Sequence, residues 1–158
     1  MRWLTQDEIN KLLEELPRHL KLIVEFAIET GLRHGNILGL KWNQVDLGRQ
    51  CAWIYADESK SGQAIPVPLS DAALNIIRSQ QGINETFVFT YQGKQVKQAN
   101  TRAFRNALKR VGIENFRFHD LRHTWASRHI QNGTPLFVLQ ELGGWQSPDM
   151  VKKYTNLS

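Results

Sequence analysis

Apolar residues recur at helical spacing through the first part of the chain. Thr5 and Glu8 form a capping-box pattern, and the apolar repeat that follows it stops at Pro17. A second apolar face begins after Pro17 and ends at Gly31, a residue that tolerates the positive φ of a helix end. The two faces consist of Ile9, Leu12, Leu13 and Leu16, and of Leu20, Ile23, Val24, Ala27 and Ile28. The pattern predicts two helices, with Arg33 just past the second.

The stretch from residue 50 to residue 68 has a different pattern. Two short runs rich in apolar and β-branched residues, 51–55 and 64–68, flank a polar turn at residues 59–62. This arrangement predicts a β-hairpin. Pro66 and Pro68 lie in its second arm, and proline cannot donate a ladder hydrogen bond, so we expect an edge strand.

Helical spacing returns in the second half of the chain. Residues 87–89 are predicted to add a small strand. Thr134-Pro135 and Ser147-Pro148 both have the cap-then-proline order of a helix start, and the second pair places Tyr154 on a final short helix. The predicted helices cover residues 70–78, 104–111, 119–132, 135–142 and the segment after 148. We therefore expect one mainly helical α+β domain with a small antiparallel sheet.

Composition narrows the possible settings of this fold. The chain has 158 residues, of which 41% are hydrophobic, and 20 Lys and Arg against 15 Asp and Glu give a net charge of +5. This charge weakly favours a polyanionic partner. Cys51 is the only cysteine, so an intramolecular disulfide and zinc sites built from several thiolates are excluded, and a reducing cytoplasm is expected. The sequence shows neither a signal-peptide core nor a membrane-spanning run.

Four segments carry residues suited to phosphate chemistry. In chain order they are Thr30-Gly31-Leu32-Arg33, the turn residue Lys60, the run from His119 to Arg122, and Leu142-Gly143-Gly144-Trp145, which Tyr154 follows nine residues after the tryptophan. Each segment alone recurs by chance in unrelated proteins. Their order and structural context together resemble the tyrosine recombinase family, most closely the phage and prophage integrases, over essentially the whole chain.

The resemblance implies the fold and the activity of a DNA breaking-rejoining enzyme. Residues 1–158 would form the catalytic domain of a tyrosine-type site-specific recombinase. Such an enzyme integrates or excises phage or prophage DNA through a covalent 3′-phosphotyrosyl intermediate and religation. In this family Tyr154 would be the nucleophile, and Lys60 would protonate the departing 5′ oxygen.

The other implied site residues would bind and polarise the phosphate. Arg33 and Arg122 would hold its non-bridging oxygens, because a guanidinium binds such oxygens bidentately. His119 would donate a hydrogen bond or help to move a proton. Trp145 stands where most relatives carry histidine, and its indole N–H could still donate to the phosphate. The family commonly has an acidic residue three positions after Arg33, whereas this chain has Asn36, whose amide can accept a hydrogen bond but cannot offset charge.

The resemblance also implies partners. The chain would bind double-stranded attachment-site DNA. The full protein would form a tetramer on that DNA and work with accessory DNA-bending and excision proteins. Neither a cofactor nor a divalent cation is expected. The core-binding and arm-binding domains that usually precede the catalytic domain are not found in the chain. We therefore expect a fragment of a longer bacterial or phage protein that acts on DNA in the host cytoplasm. Alone it should be monomeric and bind DNA weakly, through cationic residues such as those between 94 and 109.

Three other readings remain open on the sequence alone. A type IB topoisomerase uses the same nucleophile chemistry but relaxes supercoils. The chain could also be a catalytically silent DNA-binding module, or a helical domain without a DNA role. Among the remaining histidines, His123 is expected to be a packed or helix-capping residue, and no role is assigned to His19, His34 or His129.

Overall fold

A computed structural model describes residues 2–55, 64–145 and 147–154. Its helices are α1 (Gln6–Glu15), α2 (Arg18–Thr30), α3 (His34–Leu38), α4 (Asp71–Ser79), α5 (Arg102–Arg110), α6 (Asp120–Gln131), α7 (Leu136–Gly143) and α8 (Asp149–Lys152). Its strands are β1 (Val45–Asp46), β2 (Cys51–Tyr55), β3 (Ala64–Pro68), β4 (Thr90–Tyr91) and β5 (Lys94–Gln95). In the described ranges, none of the helices has the length and apolar character needed to cross a bilayer.

The predicted helix boundaries at the start of the chain are confirmed by the hydrogen bonds that form them. The Thr5 hydroxyl accepts from the Glu8 amide at 3.2 Å, and the Glu8 carboxylate accepts from the Thr5 amide at 3.0 Å. Helix α2 ends at Gly31, which has φ +70° and whose amide donates to the Ala27 carbonyl. Arg33 lies two residues past Gly31, just beyond the helix end as predicted, and is the N-cap residue of α3.

The hairpin is also confirmed. Strands β1, β2 and β3 form an antiparallel sheet in that order, with Cys51 opposite Pro68 and Tyr55 opposite Ala64. Strand β3 lies at one edge of this sheet, the position at which a strand tolerates proline because it has only one neighbour to pair with. The hairpin tip, which includes Lys60, lies outside the described residues.

The prediction of a strand at residues 87–89 is wrong. Phe87 makes only an isolated bridge with Lys41, and the Val88 amide donates to the Leu40 carbonyl. Val88 and Phe89 are both 1% exposed, so their apolar character reflects burial in the core rather than a continuous ladder. The strand of this region, β4, begins only at Thr90 and pairs with β5.

The apolar side chains form two clusters that meet along α6. The larger cluster unites α1, α2, α4 and α5 with the three-stranded sheet and includes Leu121 of α6. The smaller one, near the C-terminus, includes Trp125 of the same helix together with Leu139, Val151 and Tyr154. Helix α6 therefore joins the two clusters, because Leu121 in its first turn belongs to one and Trp125, one turn later, belongs to the other.

Three details of the C-terminal segment differ from the prediction. Pro148, rather than Ser147, has the cap position of α8. Thr134 does not cap α7: its hydroxyl lies 2.8 Å from Nδ1 of His129, and Pro135 occupies the cap position instead. Tyr154 does not lie on α8, which ends at Lys152; it lies in the turn that follows. Its amide donates to the Val151 carbonyl, three residues back, so the chain tightens there and turns the Tyr154 ring into the smaller cluster.

We predict that Gly31→Ala destabilises the domain more than Gly112→Ala does. Both glycines have positive φ, +70° and +76°, so either alanine costs about 1 to 2 kcal/mol in backbone strain. An added Cβ at Gly31 would also overlap the Trp125 ring, whereas the space at Gly112 is open. That overlap should cost a further ~1 to 3 kcal/mol, measured as the free energy of unfolding in urea. Equal losses in the two variants would show that the Trp125 ring does not restrict position 31.

Candidate active site

The turn after α2 positions Arg33. Arg33 is half-buried and extended, with φ −73° and ψ 153°. The next residue, His34, accepts a hydrogen bond from the Ala99 amide through Nε2 at 3.1 Å. The His34 ring also meets the Phe118 ring edge-on, with centroids 4.9 Å apart. His34, for which the sequence suggested no role, thus joins Arg33 to the segment around residue 99 and to Phe118, the residue before His119.

Arg122 links three of the segments identified in the sequence. It is 7% exposed, and its Nη1 donates to the Gly31 carbonyl at 2.6 Å. Its Nη2 donates to the Gly143 carbonyl. The Trp145 ring covers the guanidinium, with Cζ 4.6 Å from the ring centroid. These contacts compensate for burying the charge and hold the ends of α2 and α7 beside the first turn of α6.

Gly143 has a second role that sequence analysis missed. The sequence identified Gly143 and Gly144 as the residues after a helix and as part of the segment that precedes Trp145. A Cβ at Gly143 would overlap the Trp145 ring, so glycine lets this ring pack over the segment that carries the Gly143 carbonyl. The Gly-Gly-Trp sequence was the available signal, because two successive glycines exceed what one helix end requires.

His119 lies immediately before α6. It lines one small cavity together with Arg33 and Arg122, so these three predicted residues are brought together. Partial burial and the positive charges of Arg122 and Arg33 lower the pKa of the His119 imidazole. The ring therefore stays mainly neutral near pH 7, a form with one donor and one acceptor nitrogen.

Tyr154 is fully buried, with no exposed surface. Its hydroxyl oxygen lies 2.5 Å from Nδ1 of His123, and its ring lies 5.8 Å from the Trp145 ring, centroid to centroid. The ammonium of Lys153 lies 5.4 Å from the centroid of the Tyr154 ring. Burial raises the pKa of the Tyr154 phenol to about 12, against the lowering effect of the Arg122 charge. The phenol is therefore protonated at neutral pH.

His123 is buried, as expected of a packed residue, but its contact with Tyr154 was missed by sequence analysis. Burial, assisted by the Lys153 charge, lowers the pKa of His123 to about 4. Its Nε2 lies 3.7 Å from the carboxylate of Asp120. The available sequence signal was the spacing of four residues from His119, which places both rings on one helix face, 5.5 Å apart.

Five of the six predicted site residues lie in the described part of the chain. Arg33, His119 and Arg122 share a cavity, and Trp145 connects Arg122 to Tyr154 through its two ring contacts. Lys60 lies outside the described residues. Asn36 lines a neighbouring cleft with Arg33, Arg122 and Glu141, beside strands β2 and β3.

Comparison with known proteins shows the family to which the chain belongs. The family model described as the phage integrase family matches residues 2–158. The chain belongs to the phage integrase family. It is 46% identical over 171 residues to the integrase of Salmonella phage P22, covering the whole chain and 44% of that protein. It is 34% identical over 160 residues to the shufflon-specific DNA recombinase of Escherichia coli, covering 99% of the chain and 40% of that protein.

A solved structure extends the family likeness to the fold. The catalytic domain of bacteriophage HP1 integrase superposes with a TM-score of 0.77 at 26% identity, covering 100% of this chain and 89% of that one. The predicted fold class, an integrase catalytic domain with a small antiparallel sheet, is confirmed. The chain spans less than half the length of the P22 and shufflon relatives.

For this phage integrase family member we predict that His123 stays neutral well below pH 6. Its pKa of about 4 lies below the ordinary value of 6.5 that it regains on unfolding. Between these two pH values the unfolded chain binds a proton at this site and the folded chain does not. The free energy of unfolding therefore falls as the pH drops from 6.5 towards 4. The loss should be on the order of 1 kcal/mol per pH unit in that window.

A nuclear magnetic resonance titration of the imidazole signals gives the pKa of His123 as the midpoint of its curve. The His123 signal is the one that is missing from the spectrum of His123→Asn. Urea unfolding at several pH values gives the stability slope, which should be shallower in His123→Asn. A His123 midpoint near 6.5, or identical slopes in the two proteins, would contradict the prediction.

Proposed function

We propose that this chain is the catalytic domain of a site-specific DNA recombinase in which Tyr154 attacks the DNA backbone. The observation that carries the proposal is the chain of contacts from Arg122 through Trp145 to Tyr154, beside the cavity shared by Arg33 and His119. It combines a hydroxyl nucleophile with two guanidinium groups and an imidazole. This set suits phosphoryl transfer, in which charge stabilisation and positioning dominate.

The arginines have the role of neutralising the phosphate. Attack on a phosphodiester increases the negative charge on its non-bridging oxygens, and Arg33 and Arg122 would bind those oxygens. The anchoring of Arg122 to two backbone carbonyls means that its guanidinium is held in one orientation before DNA arrives. His119 would donate a further hydrogen bond from the same cavity, and Trp145 would hold Arg122 in place and donate through its indole N–H.

Tyr154 would make the covalent intermediate. Its phenolic oxygen bonds to phosphorus, the bond to the 5′ oxygen breaks, and Lys60 supplies the proton that turns this oxygen into a 5′-hydroxyl. The 3′-phosphotyrosyl bond keeps the energy of the broken phosphodiester. A 5′-hydroxyl from another strand can then reverse the step and rejoin the DNA without ATP.

A cationic segment next to the site supports DNA as the partner. Residues 94–110 contain six Lys and Arg and no Asp or Glu. The hydrogen bond from the Ala99 amide to His34 places this segment beside Arg33. Lys97 and Arg102 are exposed there, so phosphate contacts and a salt-dependent affinity are expected.

We further propose that the catalytic domain works as part of a longer protein. Additional DNA-binding domains, a tetramer on attachment-site DNA, and accessory bending and excision proteins would belong to that protein, in a bacterial cytoplasm where the DNA lies. The named relatives are an integrase and a DNA recombinase, which favours strand exchange over the relaxation of supercoils.

The first prediction from this proposal is that Tyr154→Phe abolishes a covalent protein–DNA adduct. Short duplexes of random sequence that carry a nick would trap the adduct, because the small cleaved fragment diffuses away before religation. The adduct is measured as a band that survives denaturation, and sequencing its DNA identifies the preferred site. Tyr91→Phe is the control, since Tyr91 is 50% exposed on β4 and its substitution also removes one phenol.

An adduct that forms equally well with Tyr154→Phe would remove Tyr154 as the nucleophile. The absence of any adduct from the unchanged, folded chain across the whole pool would overturn the proposed activity of this domain.

The second prediction concerns Lys60. Lys60→Ala should slow single-turnover cleavage by roughly 10²- to 10⁴-fold, the usual effect of losing a general acid. Replacing the departing 5′ oxygen by sulfur should restore most of the rate, because the conjugate acid of a thiolate has a pKa of about 8.5 and the thiolate leaves without being protonated. Arg33→Ala is the control and should be slow on both substrates. If sulfur fails to rescue Lys60→Ala, this lysine is not the acid.

A further inference from the structure

The most direct contact of the Tyr154 hydroxyl is with His123. The oxygen lies 2.5 Å from Nδ1, and both side chains are buried, with residue exposures of 0% and 9%. Burial raises the pKa of the phenol and lowers that of the imidazole, so both groups are neutral near pH 7. In that state the phenol O–H donates and Nδ1 accepts.

The other nitrogen of His123 faces a carboxylate. If Nδ1 accepts, the ring proton lies on Nε2, 3.7 Å from Oδ1 of Asp120. Asp120 is 2% exposed, and its other oxygen accepts from the Arg117 amide at 2.8 Å. A buried carboxylate at this place favours the tautomer with the proton on Nε2 and stabilises the ring when it becomes positive. The three side chains form a line of carboxylate, imidazole and phenol.

We infer that His123 is the base that receives the phenolic proton of Tyr154 during attack, and that Asp120 is its positioning residue. This inference rests on the proposed recombinase activity. As the bond from the Tyr154 oxygen to phosphorus forms, the O–H bond breaks and its proton moves to Nδ1, leaving an imidazolium beside Asp120. On the other side of the phosphorus, the 5′ oxygen leaves with a proton from Lys60. In religation the 5′-hydroxyl returns its proton to Lys60, and the released phenolic oxygen takes its proton back from His123.

The position of His119 suits a different task. It shares its cavity with Arg33 and Arg122, where a phosphate would bind, and the charges of those arginines oppose its protonation. The two histidines would therefore divide the work. His119 would donate to the phosphate, and His123 would receive the proton of the nucleophile.

Transfer of the proton has to accompany attack rather than precede it. With pKa values of about 12 for the phenol and about 4 for His123, the ion pair is strongly disfavoured in the resting chain. A phosphodiester anion held by the arginines adds a negative charge close to His123, which favours the imidazolium. Bond formation to phosphorus makes the phenol far more acidic in the same step.

The test separates proton acceptance from hydrogen bonding. In His123→Asn the amide oxygen takes the place of Nδ1, so it can accept the phenol hydrogen bond but cannot carry the proton. The substrate is the DNA site that the unchanged chain selects in the adduct experiment. We expect the rate of its single-turnover cleavage by His123→Asn to be lower by roughly 10²- to 10⁴-fold. Asp120→Asn, which leaves His123 in place, should lose roughly 10-fold. His119→Asn is the matched control on the same helix face.

The deciding measurement is the cleavage rate of each variant with 3-fluorotyrosine, instead of tyrosine, at position 154. Fluorine makes the phenol more acidic, so an enzyme that lacks its base should regain at least ~10-fold of the lost rate. We expect this recovery in His123→Asn and Asp120→Asn, but not in His119→Asn or the unchanged chain. Because the comparison is made within each variant, a general loss of stability does not imitate it.

Two results would overturn the inference while leaving the proposed function intact. One is cleavage by His123→Asn at the rate of the unchanged chain. The other is the same effect of fluorine in all four proteins. If the unchanged chain forms no adduct at Tyr154, it is the proposed function that fails.

Discussion

The buried guanidinium of Arg122 is the constraint on which the site depends. A charge at 7% exposure is costly unless its hydrogen bonds are met, and here two backbone carbonyls and an aromatic ring compensate for it. The carbonyls belong to Gly31 and Gly143, at the ends of α2 and α7. One side chain therefore fixes the relative positions of three segments that are far apart in the sequence. The glycines matter as much as the arginine, because a Cβ at either would overlap a tryptophan ring.

Much of the fold could be predicted because the signals involved are local. The capping box at Thr5, the left-handed glycine after α2 and the prolines of β3 each act within a few residues, and the structure has each of them as expected. The order of motifs likewise predicted the family. One failure was the apolar run at Val88 and Phe89, where burial rather than spacing determined the structure. Another was the expected cap at Thr134, whose hydroxyl lies beside His129 instead.

The candidate site was less predictable, because its contacts join distant residues. Arg122 bonds to carbonyls 91 and 21 residues away, and His123 meets Tyr154 across 31 residues. Spacing along a helix shows which residues share a face, but not what that face meets. His34 illustrates the same limit: its ring is placed by Ala99 and Phe118, which no pattern near residue 34 indicates.

The electrostatics of the site follow from the balance between burial and charge. At Tyr154, burial raises the pKa of the phenol against the opposing charge of Arg122, so the phenol keeps its proton. At His123, burial and the charge of Lys153 both lower the pKa of the imidazole, so the ring stays neutral. Under the proposed function, this balance keeps the nucleophile unreactive in the absence of DNA. A bound phosphodiester would offset the charges of Arg33 and Arg122 and supply the electrophile in the same event. Proton uptake by the imidazole would then be coupled to the arrival of the substrate, because the anion that favours the imidazolium is the group being attacked.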